Sequence, residues 1–207
     1  MNRFFGHLKN VTIHRFRVFE YSLKVGIPLN GLKHDLSKFS YTEFSKSIKY
    51  YQGTSSPVFA ERKENLYYSN ISIHHTNRNR HHFEYWIDVF KGSLVLSKMP
   101  YKFAVEYCID MISASKTYMK KDFKLDSVLN YFNERKSFYL MHPATKEFVT
   151  SVLEEFSKNG RKNLKSKRLK KLYNSVNEKY NDTYFVLIDL KNGIKPIEKF
   201  EGFNFII

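Results

Sequence analysis

Residues 31–38 read GLKHDLSK, a stretch in which His34 stands directly before Asp35 and Lys38 follows three positions later. A short helix is predicted from about Asn30, and it carries the His-Asp pair. Successive residues on a helix lie about 100° apart around its axis, so the imidazole and the carboxylate can bind one ion at a common edge. Mixed nitrogen and oxygen ligands suit divalent transition metals. The pair alone is a weak signal, because His-Asp occurs often by chance.

Further ligand candidates lie elsewhere in the chain. His14 belongs to a helix predicted over residues 9–25, and Asp110 belongs to a long helix predicted over residues 99–120. Four more histidines fall within nine residues: His74, His75, His81 and His82. Their spacing would place them as two pairs on one face of a continuous helix, unless the asparagines between them break it. A metal site with ligands from several helices is therefore predicted.

Periodic apolar residues and helix-start signals predict a mostly helical chain. Ser40 and Glu43 form the capping-box pattern at the start of the second main helix. Pro143 occupies the first turn of the last one, directly after His142, which is interpreted as a helix-start residue. The apolar stripe of the first helix is assigned to Phe16, Phe19 and Leu23. The main helices are predicted over residues 9–25, 40–51, 59–75, 81–90, 99–120 and 143–157.

The character of the chain changes after residue 157. Seven of the eleven residues from Arg161 to Lys171 are lysine or arginine, which predicts a basic helix. Residues 183–188 and 194–200 are strand-like and are joined through Asn192-Gly193, a strong hairpin signal. We therefore divide the chain into a helical body, residues 1–157, and an extension of a basic helix and a small β-hairpin, residues 158–207.

Charge narrows the classes of partner. The 207 residues carry a formal net charge of +15, which attracts phosphorylated substrates, nucleic acid or anionic membrane surfaces without choosing among them. Runs of charge are most often solvated helix faces, but this one could contact nucleic acid or guide an anionic substrate. The candidate anion-binding or nucleic-acid-binding residues are Lys165, Lys167, Arg168, Lys170 and Lys171.

The single cysteine, Cys108, excludes an internal disulfide framework and indicates a reducing compartment. Its apolar neighbours indicate a buried helix face. No apolar run is long enough for a signal peptide or a transmembrane helix. The sequence therefore predicts a cytoplasmic protein without membrane contact. The oligomeric state stays open, and His7 is interpreted as a surface residue.

These motifs together resemble the HD-domain superfamily of metal-dependent phosphohydrolases. Residues 34–38 match its signature of His-Asp, a hydrophobic residue, a small residue and lysine, and the ligand candidates follow its H…HD…H…H…D order. Residues 14–145 resemble more closely a family of small phage and bacterial HD-like proteins without an established activity. That likeness lies in residues 34–44, in His75-x-x-x-Asn79-x-His81-His82 with Glu84-Tyr85-Trp86, in Met99-Pro100, in Asp110, and in His142-Pro143-x-Thr145.

The resemblance implies an HD-like helical bundle and a role for each candidate. His14, His34, Asp35 and Asp110 would hold one metal ion. His75, His81 and His82 would complete a second metal site or contact the scissile phosphate, and His74 is the least certain histidine. Lys38 would reach a phosphate oxygen, while Asn79 would orient a ligand or bind phosphate. The residues with catalytic roles would then be Lys38, Asn79 and His82.

The implied cofactor is one or two divalent ions of Mn, Ni, Co, Fe or Mg, and the implied substrate is a nucleotide or another phosphate ester. Hydrolysis of a mono-, cyclic or oligonucleotide is the leading hypothesis. One alternative is a nucleic-acid-binding module with a structural or vestigial metal site, and another is an HD-type di-iron oxygenase. One departure is that Lys38 and Phe39 stand where many nucleotidases of the superfamily carry an acidic residue, which leaves the group that orients the nucleophile unidentified.

Overall fold

The computed structural model describes residues 2–187, and the prediction of a mostly helical chain is confirmed for them. The helices are α1 (Arg3–Val25), α2 (Pro28–Lys33), α3 (Tyr41–Tyr50), α4 (Pro57–Glu64), α5 (Asn70–Thr76), α6 (Tyr101–Met119), α7 (Ser127–Arg135), α8 (Pro143–Asn159) and α9 (Ser166–Asn177). Short 3₁₀ turns cover Leu36–Phe39, Phe83–Trp86, Lys120–Asp122 and Gly160–Asn163. The strands are β1 (Ile87–Phe90), β2 (Ser93–Ser97) and β3 (Thr183–Leu187). No helix in this part of the chain is long and apolar enough to cross a bilayer.

The core forms where α1, α6 and α8 pack together. Its fully buried side chains come from α1 (Val18, Tyr21, Val25), from α6 (Cys108, Ile109, Ile112) and from α8 (Phe148, Val152, Phe156). Cys108 is a buried free thiol, as predicted. Three residues beyond position 157 join the same core: Leu164, Leu169 and Val176. The described part of the basic extension therefore packs directly on the helical body.

The predicted apolar stripe of α1 is wrong. Phe16 and Leu23 are 63% and 56% exposed, and Phe19 is only partly buried. The buried face instead carries Val11, His14, Val18, Tyr21 and Val25. Both stripes have helical spacing, so periodicity alone does not choose between them. Contact with α6 decides the matter, and it turns His14 inward.

The helix predicted over residues 59–75 is two helices. Leu66 and Tyr67 both have positive φ, 49° and 68°, which ends the first helix before α5 begins. The buried carboxylate of Glu61 bridges the break, because it accepts hydrogen bonds from Ser69 Oγ and from the backbone N–H of Ile71. That break sets the direction of α5, which carries His74 and His75.

The helix predicted over residues 81–90 is also wrong. After a 3₁₀ turn, β1 pairs antiparallel with β2 through a two-residue turn, Lys91-Gly92, in which both φ values are positive. This is the geometry that two-residue hairpins favour. The third strand, β3, confirms the strand predicted from residue 183, and it pairs antiparallel with β2. The Asn192-Gly193 turn and the strand predicted over residues 194–200 lie outside the described residues.

The predicted helix starts at Ser40 and Pro143 are confirmed. Ser40 Oγ accepts from the backbone N–H of Glu43 at the start of α3. Pro143 is the first residue of α8, and His142 caps that helix because its Nδ1 accepts from the backbone N–H of Ala144 over 3.1 Å. The basic helix is also present, as α9.

Candidate metal centre

The His-Asp pair lies in a tight turn and not on a helix, so the predicted helix through both residues is wrong. The helix α2 ends at Lys33, His34 has an extended backbone, and Asp35 is left-handed with φ 53° and ψ 27°. Arg15 holds this turn, because its Nε donates to the carbonyl of His34 over 2.8 Å and its Nη2 donates to that of Leu32 over 2.9 Å. The two side chains converge as a result: His34 Nε2 lies 3.2 Å from Asp35 Oδ2.

The first group of ligand atoms consists of His14 Nε2, His34 Nε2, Asp35 Oδ2 and Asp110 Oδ1. His14 Nε2 lies 3.2 Å from His34 Nε2, 3.4 Å from Asp35 Oδ2 and 3.1 Å from Asp110 Oδ1. His34 Nε2 lies 3.5 Å from Asp110 Oδ1. Ligands at about 2.0–2.1 Å from a tetrahedral ion stand roughly 3.3–3.4 Å from one another. The spacing of these atoms therefore fits a small divalent cation.

A second group lies against the other oxygen of Asp35. Asp35 Oδ1 is 3.3 Å from His75 Nε2 and 3.5 Å from His81 Nε2, and His82 completes the group. Asp35 therefore contributes one carboxylate oxygen to each group. The two groups are neighbours that share Asp35, an arrangement that can hold one ion or two.

Unpaired polar atoms support this assignment. Both oxygens of Asp35, His81 Nε2 and His82 Nε2 are buried and lack a well-directed hydrogen bond within residues 2–187. An unsatisfied buried polar group costs about 1–3 kcal/mol, and more if it is charged. A cation in the second group would satisfy Asp35 Oδ1 and both histidine nitrogens, while Asp35 Oδ2 faces the first group and Lys38, so the donor set fits a metal ion.

Glu106 fixes two of the imidazole rings. Its Oε1 accepts from Nδ1 of His34 over 3.0 Å and lies 3.3 Å from Nδ1 of His81. Its Oε2 accepts from the side-chain amide of Asn30 over 2.8 Å. A carboxylate on Nδ1 leaves Nε2 as the ligand atom and orients the ring. Glu106 thus supports both ligand groups.

Glu43 performs the same task on the other side of the centre. It is 1% exposed, and its carboxylate accepts from His74 Nδ1 over 2.7 Å and from His75 Nδ1 over 2.9 Å. Its backbone N–H completes the predicted cap of α3, but its side chain is directed to the histidines. His75 Nε2 is thereby turned toward Asp35. His74 is held on Glu43 and belongs to neither ligand group.

The role of both glutamates was not predicted from the sequence. The available signal for Glu106 was its position in an apolar helix one turn before Asp110, on the same face. For Glu43, the signal was its place inside the stretch that resembles the HD-like proteins. Neither signal names the histidines that these carboxylates contact, since those contacts join distant segments.

The electrostatics of the centre keep its acids ionised. Burial would raise the pKa of Asp35, but His34, Lys38 and His75 hold it well below its usual range. Burial also opposes ionisation of Glu106, yet its hydrogen bonds with His34 and His81 lower its pKa to about 2. Burial and the neighbouring histidines lower the pKa of His82. The carboxylates act the other way on His34 and His75, whose pKa they raise against the effect of burial. Since metal ions bind ionised carboxylates and neutral imidazoles, an ion here would displace the protons of these two rings.

The centre reaches solvent on the side of Lys38. Lys38 Nζ lies 2.6 Å from Asp35 Oδ2, and the side chain is 32% exposed. Asp110 and His82 are the most accessible ligands, with side chains 16% and 20% exposed. An anion that enters from this side meets an ammonium group before it reaches the ligand atoms.

Asn79 lies behind the second ligand group. Its amide nitrogen donates to Ser37 Oγ and to the backbone carbonyl of His75, each over 2.8 Å. These bonds tie α5 to the turn that follows the His-Asp pair. Of the two roles predicted for Asn79, this position fits the orienting one.

The remaining candidates lie outside the centre. The four candidate lysines of the basic segment are exposed: Lys165, Lys167, Lys170 and Lys171. Arg168 forms a two-pronged ion pair with Glu155 of α8, which offsets its charge. The interpretation of His7 as a surface residue is wrong, since it is 5% exposed. Trp86 packs on the core beside Phe103.

A model of one protein family matches residues 3–155, and its description is DUF5662, a family of unknown function. No curated protein and no solved structure matches the chain. The matched segment contains every residue of the two ligand groups and both supporting glutamates. It ends within α8, so the basic helix α9 lies outside it.

Proposed function

The chain belongs to DUF5662, a family of unknown function, and we propose that it is a metal-dependent phosphohydrolase that acts on a phosphate ester of a nucleotide. One observation carries this proposal: two groups of buried ligand atoms share Asp35, and Lys38 stands at their opening to solvent. The ligand order along the chain, which resembles the HD-type hydrolases, supports the same reaction class.

Both ligand groups suit transition metals. His14, His34, Asp35 and Asp110 would hold one ion, while Asp35 and the three histidines His75, His81 and His82 would hold the other. Imidazole-rich sites favour Fe, Co or Ni, whereas Mg and Mn suit oxygen ligands and water. We therefore expect activity with Fe, Co or Ni to exceed activity with Mg or Mn.

Different residues of the centre have different roles in the proposed hydrolysis. A divalent ion supplies activation of water near neutral pH and offsets the negative charge of the phosphoryl oxygens. Lys38 binds a non-bridging phosphoryl oxygen, because its ammonium is the accessible cation beside Asp35. His82, the most open histidine of the second group, has a lowered pKa and is placed to bind metal as a neutral imidazole and not to protonate the leaving oxygen. Glu43 and Glu106 hold the rings in place.

The test is a release assay with protein stripped of metal and reloaded separately with each of the five metals. The panel contains mono-, tri-, cyclic and oligonucleotides, and the metal content of every sample is measured. Asp35→Asn is the inactive comparison, and His142→Asn is the matched control at a buried residue outside the centre. If the metal-loaded protein hydrolyses no nucleotide of the panel, a nucleotide is not the substrate.

A second candidate, a nucleic-acid-binding module, is favoured by the four exposed lysines on and beside α9. This candidate predicts tight, salt-sensitive binding of DNA or RNA that is independent of the metal content of the protein. The di-iron oxygenase would use the same ligand groups. Two irons per chain together with consumption of oxygen would favour that reaction over hydrolysis.

A further inference from the structure

Two unpaired polar groups lie on α1 next to the metal centre but outside both ligand groups. His7 is 5% exposed, and its Nε2 is buried without a hydrogen bond within residues 2–187. The side-chain nitrogen of Asn10 is also buried and unpaired in the same part of the chain. His7, Asn10 and His14 are three and four residues apart, so they form a row along one face of the helix. The row ends at a metal ligand.

The surroundings of His7 combine aromatic rings with one positive charge. Its ring packs against Phe44 and Tyr51, with centroids 5.2 Å and 5.7 Å away. Burial, and secondly the charge of Lys38, lower the pKa of His7 to about 4. Within residues 2–187, no carboxylate contributes to that shift. An anion at His7 would therefore meet the charge of Lys38, which the ion pair with Asp35 offsets in part.

Tyr118 extends the polar lining from the side of α6. It lies two turns beyond Asp110, and its pKa is raised by burial while the charge of Lys38 acts to lower it. Its hydroxyl forms no hydrogen bond with another described residue, so it is available as a donor. The polar groups of this region are thus the unpaired amide nitrogen and neutral imidazole, the hydroxyl, and the ammonium of Lys38, which also forms an ion pair with Asp35. All four can donate hydrogen bonds to an oxyanion.

We propose that His7 and Asn10, together with Lys38, form an anion-binding subsite beside the metal centre, and that it takes a second phosphate of the substrate. The inference rests on the proposed function, because it assumes that the first phosphate lies at the ligand groups. A helix rises about 1.5 Å per residue, which places Asn10 roughly 6 Å and His7 roughly 10 Å along the axis from His14. This span suits a nucleotide with a chain of two or more phosphates and disfavours mono- and cyclic phosphates.

Binding of inorganic probes tests the subsite without reliance on turnover. Calorimetric titration of the metal-loaded full-length chain compares inorganic phosphate with tripolyphosphate at fixed ionic strength. The variants His7→Phe and Asn10→Leu remove the donors while keeping a similar side-chain shape and, at neutral pH, without a change of charge. Each is expected to weaken tripolyphosphate binding roughly tenfold to a hundredfold, as loss of one hydrogen bond to a charged group does, and to change phosphate binding less than about twofold. Metal content is measured after each titration, because polyphosphates chelate metals.

A second set of variants separates the loss of a hydrogen-bond donor from a loss of the fold. His7→Gln keeps a donor and is expected to retain most of the affinity for tripolyphosphate. Asn10→Asp keeps the shape but adds a negative charge, and is expected to lose at least about tenfold. In the wild-type chain labelled with ¹⁵N-histidine, the ring signals of His7 should move with tripolyphosphate and not with phosphate.

The results separate this inference from the proposed function. Two results would overturn the subsite. One is an unchanged affinity for tripolyphosphate in folded, metal-loaded His7→Phe and Asn10→Leu. The other is a ring signal of His7 that does not respond to tripolyphosphate. Loss of binding in these variants together with no hydrolysis of any nucleotide keeps the subsite and removes the hydrolase. Hydrolysis of nucleoside triphosphates that both variants perform with the wild-type kcat/KM removes the subsite alone.

Discussion

Glu106 accepts a hydrogen bond from Nδ1 of His34 over 3.0 Å, although 72 residues separate the two in sequence. The same carboxylate group also contacts His81 and Asn30, so a single side chain on α6 orients a ligand from each of the two groups. Orientation of this kind determines how well a metal site is preformed, and it can be altered without removal of a ligand.

Glu106→Gln is therefore expected to lower metal affinity by about 10–100-fold, the usual effect of losing such a supporting carboxylate. Competition with a chelator of known affinity measures the change. Glu178→Gln, at an exposed position on the surface, is the matched control and should bind metal as the wild type does. An affinity of Glu106→Gln equal to that of the control would show that the contact with His34 does not support the site.

Asp35→Asn should remove metal from both groups, because each of them uses one oxygen of this carboxylate. Asparagine tolerates the left-handed backbone at this position and has nearly the same shape, so the turn is expected to persist. We expect at least a tenfold loss of affinity for Mn or Co, measured by elemental analysis after dialysis. Wild-type metal content in a folded Asp35→Asn protein would contradict the shared-carboxylate centre.

Lys38→Met should separate metal binding from hydrolysis. Metal content is expected to stay at the wild-type level, since Lys38 is not a ligand, while kcat/KM falls about 10²–10³-fold through loss of a charged donor to the phosphoryl group. Steady-state kinetics on the best substrate of the panel measure this. Lys33→Met, an exposed lysine on α2, is the control for net charge. Equal kinetics for the two variants would leave Lys38 without a role in the reaction.

The lowered pKa of His142 predicts that the folded chain loses stability in acid. Burial, with Lys98 as the second cause, lowers its pKa from 6.5 to about 4 in the folded chain. Between these values the unfolded chain binds a proton that the folded chain does not, so stability falls as the pH decreases from 6.5 to 4, and this contribution is fully present only above 6.5. The difference between the two pKa values corresponds to about 3 kcal/mol in the free energy of unfolding.

The variant His142→Asn keeps a side chain that caps helices well but does not titrate in this range. Its free energy of unfolding in urea should therefore fall less than that of the wild type between pH 6.5 and pH 4, by about 2–3 kcal/mol. The other titrating groups are common to both proteins and cancel in the comparison. Parallel pH profiles would contradict the depressed pKa of His142.

The lysines of the basic segment should matter for nucleic acid and not for nucleotide hydrolysis. Replacement of Lys167, Lys170 and Lys171 by glutamine is expected to weaken binding of duplex DNA and to reduce its salt dependence by up to about one unit of log–log slope per lost phosphate contact. Fluorescence anisotropy at several salt concentrations measures the effect. A fall in nucleotide hydrolysis of the same size would instead place these lysines on the path of the substrate.

Local signals in the sequence predicted the elements that depend on neighbouring residues. Ser40 and Pro143 mark helix starts because their effect is exerted on backbone groups within one turn. The long helix α6 was predicted because its apolar residues repeat over five turns, and Asp110 was placed on it correctly. The ligand candidates His14, His34, Asp35 and Asp110 do lie together.

Elements that depend on distant contacts were predicted less well. The turn at Asp35 requires Arg15 to hold the carbonyls before it, and a residue 20 positions away gives no local signal. The strand β1 was interpreted as a helix because its stability comes from pairing with β2. His7 was placed at the surface because nothing near it in the sequence indicates the cover that Phe44 and Tyr51 provide.

By itself, the sequence determined the helical class of the chain, several helix starts and the chemical types of ligand available. Only the tertiary structure decided that Asp35 contributes to two groups, that Glu43 and Glu106 orient the histidines, and that polar atoms of His7 and Asn10 are buried without partners among the described residues. The physical reason is the range of the interactions. Capping and periodicity act over one or two helical turns, whereas convergence of side chains on one ion depends on how α1, α3, α5 and α6 pack.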